Sequence, residues 1–211
     1  MTLVTHTYTT TQDITLPSWV THVDIEMKAG GGGGAGGSIS SNACGGGGGE
    51  GEVKTASKVA VSPGAHAIIV GAGGLGGALS SPVGRPGGAG GDSSAFGVTA
   101  AGGAGGDPYV GTSPTKGAGT GGGAAGSVDT GGSDATGYGC GGGGSGYYIS
   151  HALITGGDGS GGYVTISYYE PDITFSATPT EDTAPSTIAF TASATESPTA
   201  WYWTFGDGGT S

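Results

Sequence analysis

The chain has 211 residues, 53 of them glycine and 10 proline, a share of about 30% that by default describes low-complexity or disordered sequence. The formal net charge is −11 and the sequence pI about 4.3. With only Lys28, Lys54, Lys58, Arg85 and Lys116 as basic residues, there is no electrostatic footprint for nucleic acid. No stretch approaches the roughly 18 apolar residues of a membrane-spanning helix, so no membrane partner is expected.

The opening residues, "MTLVTHTYTT", have neither the basic nor the apolar part of a secretory signal, so synthesis in a cytoplasm is expected. "TYTT" and "DITLP" read as short strands. "HVDIEMK" alternates strictly, with Val23, Ile25 and Met27 on one face and His22, Asp24, Glu26 and Lys28 on the other, the pattern of a half-buried strand. No glycine precedes Gly30 and none lies between Tyr163 and Phe205, so the glycines form one middle block apart from the last three. Within that block "GEVKTASKVAVSPGAHAIIVG" reads as two strands around a Ser62-Pro63-Gly64-Ala65 turn. "GYVTISYY" returns as a closing strand. "GRPGGAGGDSSAFGVTAAGGAGG" and "GTGGGAAGSVDTGGSDATGYGCGGGGSG" read as loops of small residues, with Leu75, Phe96 and Tyr109 at tips or edges. No segment carries helical periodicity beyond a turn.

An ordered glycine block has a definite requirement. Each ordered glycine costs roughly 0.5–1 kcal/mol more backbone entropy than alanine, on the order of tens of kcal/mol over the block. Side chains cannot offset this, so backbone hydrogen bonds, worth about 1 kcal/mol net each, must. The expected solution is extended glycine segments packed side by side in polyproline-II-like geometry, three residues per turn, bonding to several neighbours. The fold class expected is all-β: a small β-sandwich bearing long glycine-rich loops in a polyglycine II bundle.

"AIIVGAGGLGG" spells G-x-G-x-x-G after an apolar run. A dinucleotide-binding turn needs a helix after the glycines, whereas here "GALSSPVGRPGG" follows, with Pro82 and Pro86. Gly71, Gly73 and Gly74 are therefore read as structural, and no cofactor is expected. The histidines His6, His22, His66 and His151 are scattered, and no metal site is expected. Asp92, Asp107, Asp129, Asp134 and Asp158 read as solvated turn formers, and no catalytic constellation is seen, so the chain is not expected to be an enzyme. Cys44 and Cys140 open similar phrases, "CGGGGGEGEV" and "CGGGGSGYYI". They read either as reduced buried residues or as a disulfide between matched loops. Tyr109, Tyr138, Tyr147 and Tyr148 lie beside glycines and are the candidate receptor or partner contacts, with packing against the glycine array as the other reading.

In order along the chain come "TLPSWVTHVDIEMKAGGGGG", the "V-S-P-G" turn before "V-G-A-G-G", "GGAGGDSSAFGVTAAGGAGG" and "GGDGSGGYVTISYY". On these phrases, residues 6–169 resemble the glycine-rich domain of phage tail proteins and related adhesins. The resemblance implies a virion or cell-surface role in a tail fibre, minor tail protein or adhesin. It also implies other virion proteins and a host surface glycan or protein as partners. Residues 171–211 resemble the first half of a PKD domain, an immunoglobulin-like sandwich, on Trp203-Thr204-Phe205-Gly206-Asp207-Gly208. "ITFSA" and "TIAFTASA" are expected to pair, Trp203 and Phe205 to be structural, and Asp207 to serve its turn. About 40 residues are too few for a sandwich of roughly 100, so the chain is expected to continue past Ser211, or a second chain to complete the fold. The expected domains are 1–170 and 171–211. The expected location is the surface of a virion, with a capsid decoration protein, head fibre, or bacterial surface or matrix adhesin as alternatives. Ice binding by a flat glycine bundle is the least favoured reading. A symmetric homo-oligomer, with a trimer favoured, is expected because neighbouring subunits would complete the glycine hydrogen bonding.

Overall fold

The computed structural model describes residues 1–37, 44–80, 83–108, 121–127, 129–146, 154–178 and 189–194. The chain divides into two compact units, Thr5–Tyr168, and Met1–Val4 together with Tyr169–Ser211. Among the described residues the only regular elements are strands, so the all-β class holds.

In the larger unit, β1 (Thr2–Tyr8), β2 (Gln12–Leu16), β3 (His22–Lys28), β4 (Val53–Ala60) and β5 (Gly64–Ile68) precede the longest glycine run of strand-to-strand connections. β6 (Leu79–Ser80) pairs with β7 (Val83–Gly84), and β8 (Ser93–Ala95) with β9 (Val98–Ala100), each as a short antiparallel hairpin. β10 (Tyr163–Glu170) closes the domain between β1 and β3, giving a sheet of order β1-β10-β3-β4. The second layer is β2 paired with β5, linked to β8 by the bridge between Ile69 and Ser94. The alternation of β3 buries Val23, Ile25 and Met27 as expected, and they meet Leu16, Ile68, Ala95, Ala100, Val164 and Ile166 in the core between the layers. β4 and β5 flank the Ser62-Pro63-Gly64-Ala65 turn as expected, but each pairs in a different layer, β4 with β3 and β5 with β2. The hairpin β8–β9, expected to be loop, turns through Phe96 and Gly97, both at positive φ (50° and 78°), the signature of a tight primed turn.

From this sandwich the glycine segments leave and return. The central one, residues 30–36, donates in strict rotation. Gly30, Gly33 and Gly36 give their N–H to Gly91, Gly88 and Arg85; Gly31 and Gly34 to Ser160 and Gly157; Gly32 and Ala35 to Gly49 and Gly46. Its carbonyls accept in the same rotation. Gly103 and Gly106 bond to Gly30 and Gly33, Gly74 and Gly77 to Gly31 and Gly34, and Gly142 and Ser145 to Gly32 and Ala35. The donors' partners run antiparallel to the central segment and the acceptors' partners run parallel to it. A repeat of three with bonds in all directions is polyglycine II packing and not a β-ladder. The six neighbours also bond to one another around the ring, in the order 44–51, 101–107, 85–92, 71–78, 154–162, 139–146. Segments 121–127 and 131–135 add a further layer on 139–146 and 154–162, leaving 139–146 as a second wholly buried segment.

This packing explains where side chains are allowed. A Cβ built on Gly30, Gly31, Gly32, Gly33 or Gly34 would overlap a neighbour's carbonyl oxygen, that of Ala72, Cys140, Ala104, Leu75 or Gly143 respectively. Each of these glycines thus presents Cα–H to a carbonyl, a weak bond that adds to the N–H···O network. The outer segments carry side chains at every third residue, and these positions are exposed: Ala72, Leu75 and Ala78; Pro86, Ala89 and Asp92; Ala101, Ala104 and Asp107.

In the smaller unit, β11 (Ile173–Thr178) pairs antiparallel with β12 (Ala189–Ala194), as expected for "ITFSA" and "TIAFTASA". The N-terminal ammonium of Met1 is ion-paired with Asp172.

Gly33→Ala places a methyl against the Leu75 carbonyl, and because backbone surrounds it the lattice must shift. We expect a loss of about 3 kcal/mol or more in denaturant unfolding. Ala104→Ser, at an exposed triplet position, is expected to stay within about 0.5 kcal/mol of the parent.

Candidate functional site

The segments enter and leave the bundle at two opposite ends. Seven residues at about 3.1 Å each separate them by roughly 20 Å. Gly37 and Cys44, the β6–β7 hairpin, Asp107, the turn bonded from Thr130 to Ser127, and Gly146 and Ile154 all lie at the end remote from the sandwich. Lys28, Glu52, Gly71, Ser93, Ala101, Gly139 and Gly162 lie at the sandwich end.

Ser93 fixes that sandwich end. Its hydroxyl is fully buried, accepts the N–H of Gly71 (2.9 Å) and donates to the Lys28 carbonyl (2.9 Å). It thereby ties the departures of β3 and β5 into the bundle. Gly71 in turn accepts from Gly162, and Gly74 donates to Gly31 and accepts from Gly159. A Cβ on Gly71, Gly73 or Gly74 would overlap the carbonyl oxygen of Gly91, Gly159 or Gly88. All three of these glycines are therefore required by packing.

The carboxylates do more than turn in solvent. Asp92 accepts from Gly102 N–H (2.8 Å), Asp158 from Gly76 N–H (2.6 Å), Asp134 from Asp158 N–H (2.8 Å) and Glu52 from Ala101 N–H (2.9 Å). At the bundle's edge, where no further segment supplies a carbonyl, a side-chain oxygen takes its place. The Ala101 N–H, and then the nearby Lys54, hold the Glu52 carboxyl below the usual carboxylate value. Of the remaining two, Asp129 is a turn former at φ 56°, and Asp107 lends its carbonyl to Gly46.

Cys44 and Cys140 are both buried, and neither is in a disulfide. Gly45 bonds to Ser145, Gly48 to Gly142 and Gly51 to Gly139, so the two segments run antiparallel. That register sets the cysteines about 18 Å apart at opposite ends. A disulfide needs Cα atoms within about 7 Å, which removes the disulfide alternative.

Of the four candidate contact tyrosines, Tyr109, Tyr147 and Tyr148 lie outside the described residues, as do Trp203, Phe205, Asp207 and His151. Tyr138 is described, and it is at the sandwich end. It sits between Gly137 (φ 89°) and Gly139 (φ 62°), both in the left-handed region, and its side chain is half exposed. Its ring meets Tyr163 of β10 edge-on at 5.4 Å, with 64° between planes. The Tyr163 hydroxyl donates to Glu26 Oε1 of β3 at 2.5 Å. Along the same outward face of the sheet, Thr7 and Thr165 share a hydrogen bond of 3.0 Å, and Thr5 and Ser167 one of 2.9 Å. Lys28 is ion-paired with Glu50 beside this corner. A second aromatic group joins His6, Tyr8, Trp19 and Tyr168, of which Tyr8 and Tyr168 pack against the core. The His22 ring bonds to the Thr21 hydroxyl and His66 to the Ser62 carbonyl. Among the described residues no three His, Cys, Asp or Glu side chains are grouped to hold a metal ion.

The model of a family described as a glycine-rich domain matches residues 6–169, the span on which the sequence resemblance rests. No curated protein matches the chain.

The hydrogen bond to Glu26 raises the Tyr163 pKa to about 12, with burial adding to it. The fold therefore favours the protonated phenol. Its contribution is complete below the ordinary value of 10.0 and is lost as pH rises through about 12. In a tyrosinate absorbance titration, Glu26→Gln is expected to bring one midpoint down from about 12 towards 10.0.

Proposed function

The chain belongs to the glycine-rich domain family, and on that premise we propose that it is a non-enzymatic structural protein of a phage virion, of the tail-fibre, minor-tail or adhesin kind, contributing to attachment to the host. The carrying observation is the bundle itself. It is a short stalk stiffened by backbone bonds, whose segments end at Gly37, Cys44, Asp107, Gly146 and Ile154, remote from the sandwich. Such a scaffold spends its residues on rigid display. A lattice closed by its own backbone bonds separates framework from connections, the division of labour expected of a surface-contact protein.

Residues 171–211 are proposed to be the first half of a PKD-like module, on the Trp203–Gly208 phrase; the pairing of β11 with β12 fits a sandwich of that kind. The partners proposed are other virion proteins and a host-surface glycan or protein. A homotrimer remains part of the proposal, and it would use the outer faces, because the central segment finds its bonding partners within one chain.

The test is immunogold electron microscopy with an antibody against residues 1–170, applied to phage particles and cells from the source. Gold at the tail end is the expected result. Gold over the capsid would make the chain a decoration or head-fibre protein. Gold on cells without phage would overturn the virion reading in favour of a bacterial surface or matrix adhesin.

A further inference from the structure

We propose that the corner formed by Tyr138, Tyr163 and Glu26 is a contact site for neutral carbohydrate. The inference deepens the attachment reading and rests on it, naming the class of ligand and moving the contact from the remote end to the sandwich end.

Three observations carry it. The first is how Tyr138 is presented. Two consecutive-but-one glycines at positive φ carry the chain out and back around a single residue, and that residue is a large aromatic left half exposed. Gly139 is buried and would meet the Lys28 side chain and the Ala29 carbonyl if it bore a Cβ, so the excursion is held firmly at its base. A tyrosine so fixed gives contact area at little entropic cost.

The second observation is the shape. The rings of Tyr138 and Tyr163 stand at 64° to one another, 5.4 Å apart, making an angled apolar corner. The C–H face of a pyranose ring is an apolar surface of matching size.

The third observation is the chemistry beside the rings. Tyr163 uses one oxygen of Glu26, and a carboxylate has lone pairs for further donors. Thr165 lies opposite Glu26 in the register of β3 and β10, and its hydroxyl is paired with Thr7, so hydroxyls continue the polar strip. Carboxylate and hydroxyl oxygens accept from sugar hydroxyls, and charge-assisted bonds of this kind are short and strong. The net charge of −11 opposes acidic sugars, which selects a neutral glycan.

The full chain is to be passed over immobilised neutral gluco-, galacto- and manno-oligosaccharides. Retention on at least one is expected. Tyr138→Ala should weaken it about tenfold or more, the equivalent of about 1.4 kcal/mol. Tyr138→Phe keeps the ring and should keep the retention, and backbone amide spectra of both variants serve as the check of folding. No retention on any of these sugars, or equal retention by the folded Tyr138→Ala chain, overturns the proposal. Labelling of source cells separates it from the reading beneath. Labelling that survives periodate oxidation of the cells but is lost on protease treatment overturns the carbohydrate site and leaves attachment standing. Tyr138-dependent sugar retention without cell labelling supports the site and removes attachment.

Discussion

Everything in this molecule follows from the need to pair buried backbone groups where there are no side chains to help. A buried N–H or C=O without a partner costs about as much as a lost hydrogen bond. Residues 29–37 are buried throughout, and seven of these nine are glycine. The three-residue repeat resolves this. Successive residues turn to three antiparallel neighbours with their N–H groups and to three parallel neighbours with their carbonyls. The glycine that looks like a liability to order is what lets six chains come close enough to satisfy a seventh, with Ala35 the one side chain the central segment admits.

The same requirement shapes the rim. An outer segment faces neighbours with two residues in three, and the third can carry a side chain, as Ala72, Leu75 and Ala78 do. Where the lattice ends, carboxylates of Asp92, Asp134, Asp158 and Glu52 stand in for missing carbonyls. The acidic character of the chain is therefore in part structural. Exposed triplet side chains occupy the space a further segment would need, which ends the lattice at a defined size, as charged or bulged edges do for β-sheets. The sandwich supplies what glycine cannot, a side-chain core that fixes where each segment starts, with Ser93 joining the two parts.

Much of this was legible in the residues. The alternation of "HVDIEMK" placed β3 and its buried face, the Ser62-Pro63-Gly64-Ala65 turn placed β4 and β5, and "GYVTISYY" placed β10. Glycine content together with the demand for order indicated polyglycine II. The hairpin β8–β9 was not legible, because three-residue strands amid alanine, serine and glycine give too few positions for a period, and its turn uses Phe96 where asparagine is usual. The spacing of Pro86, Ala89 and Asp92, and of Ala101, Ala104 and Asp107, carried the triplet rule openly, and counting by three would have found it. Tyr138 stood out as an aromatic between glycines. Its place at the sandwich end was hidden, because each segment's direction depends on tertiary register and not on local sequence. Ser93 and the capping carboxylates were hidden for the same reason, since their partners lie far along the chain.

The most direct measurement is native-state amide hydrogen exchange across the glycine block, resolved residue by residue. If the lattice governs stability, the amides of Gly31 to Ala35 exchange only through global unfolding, as slowly as those of Ile25 and Ile166 in the core strands. Exchange of those glycine amides at the rate of an unstructured chain, while the strands stay protected, would contradict it.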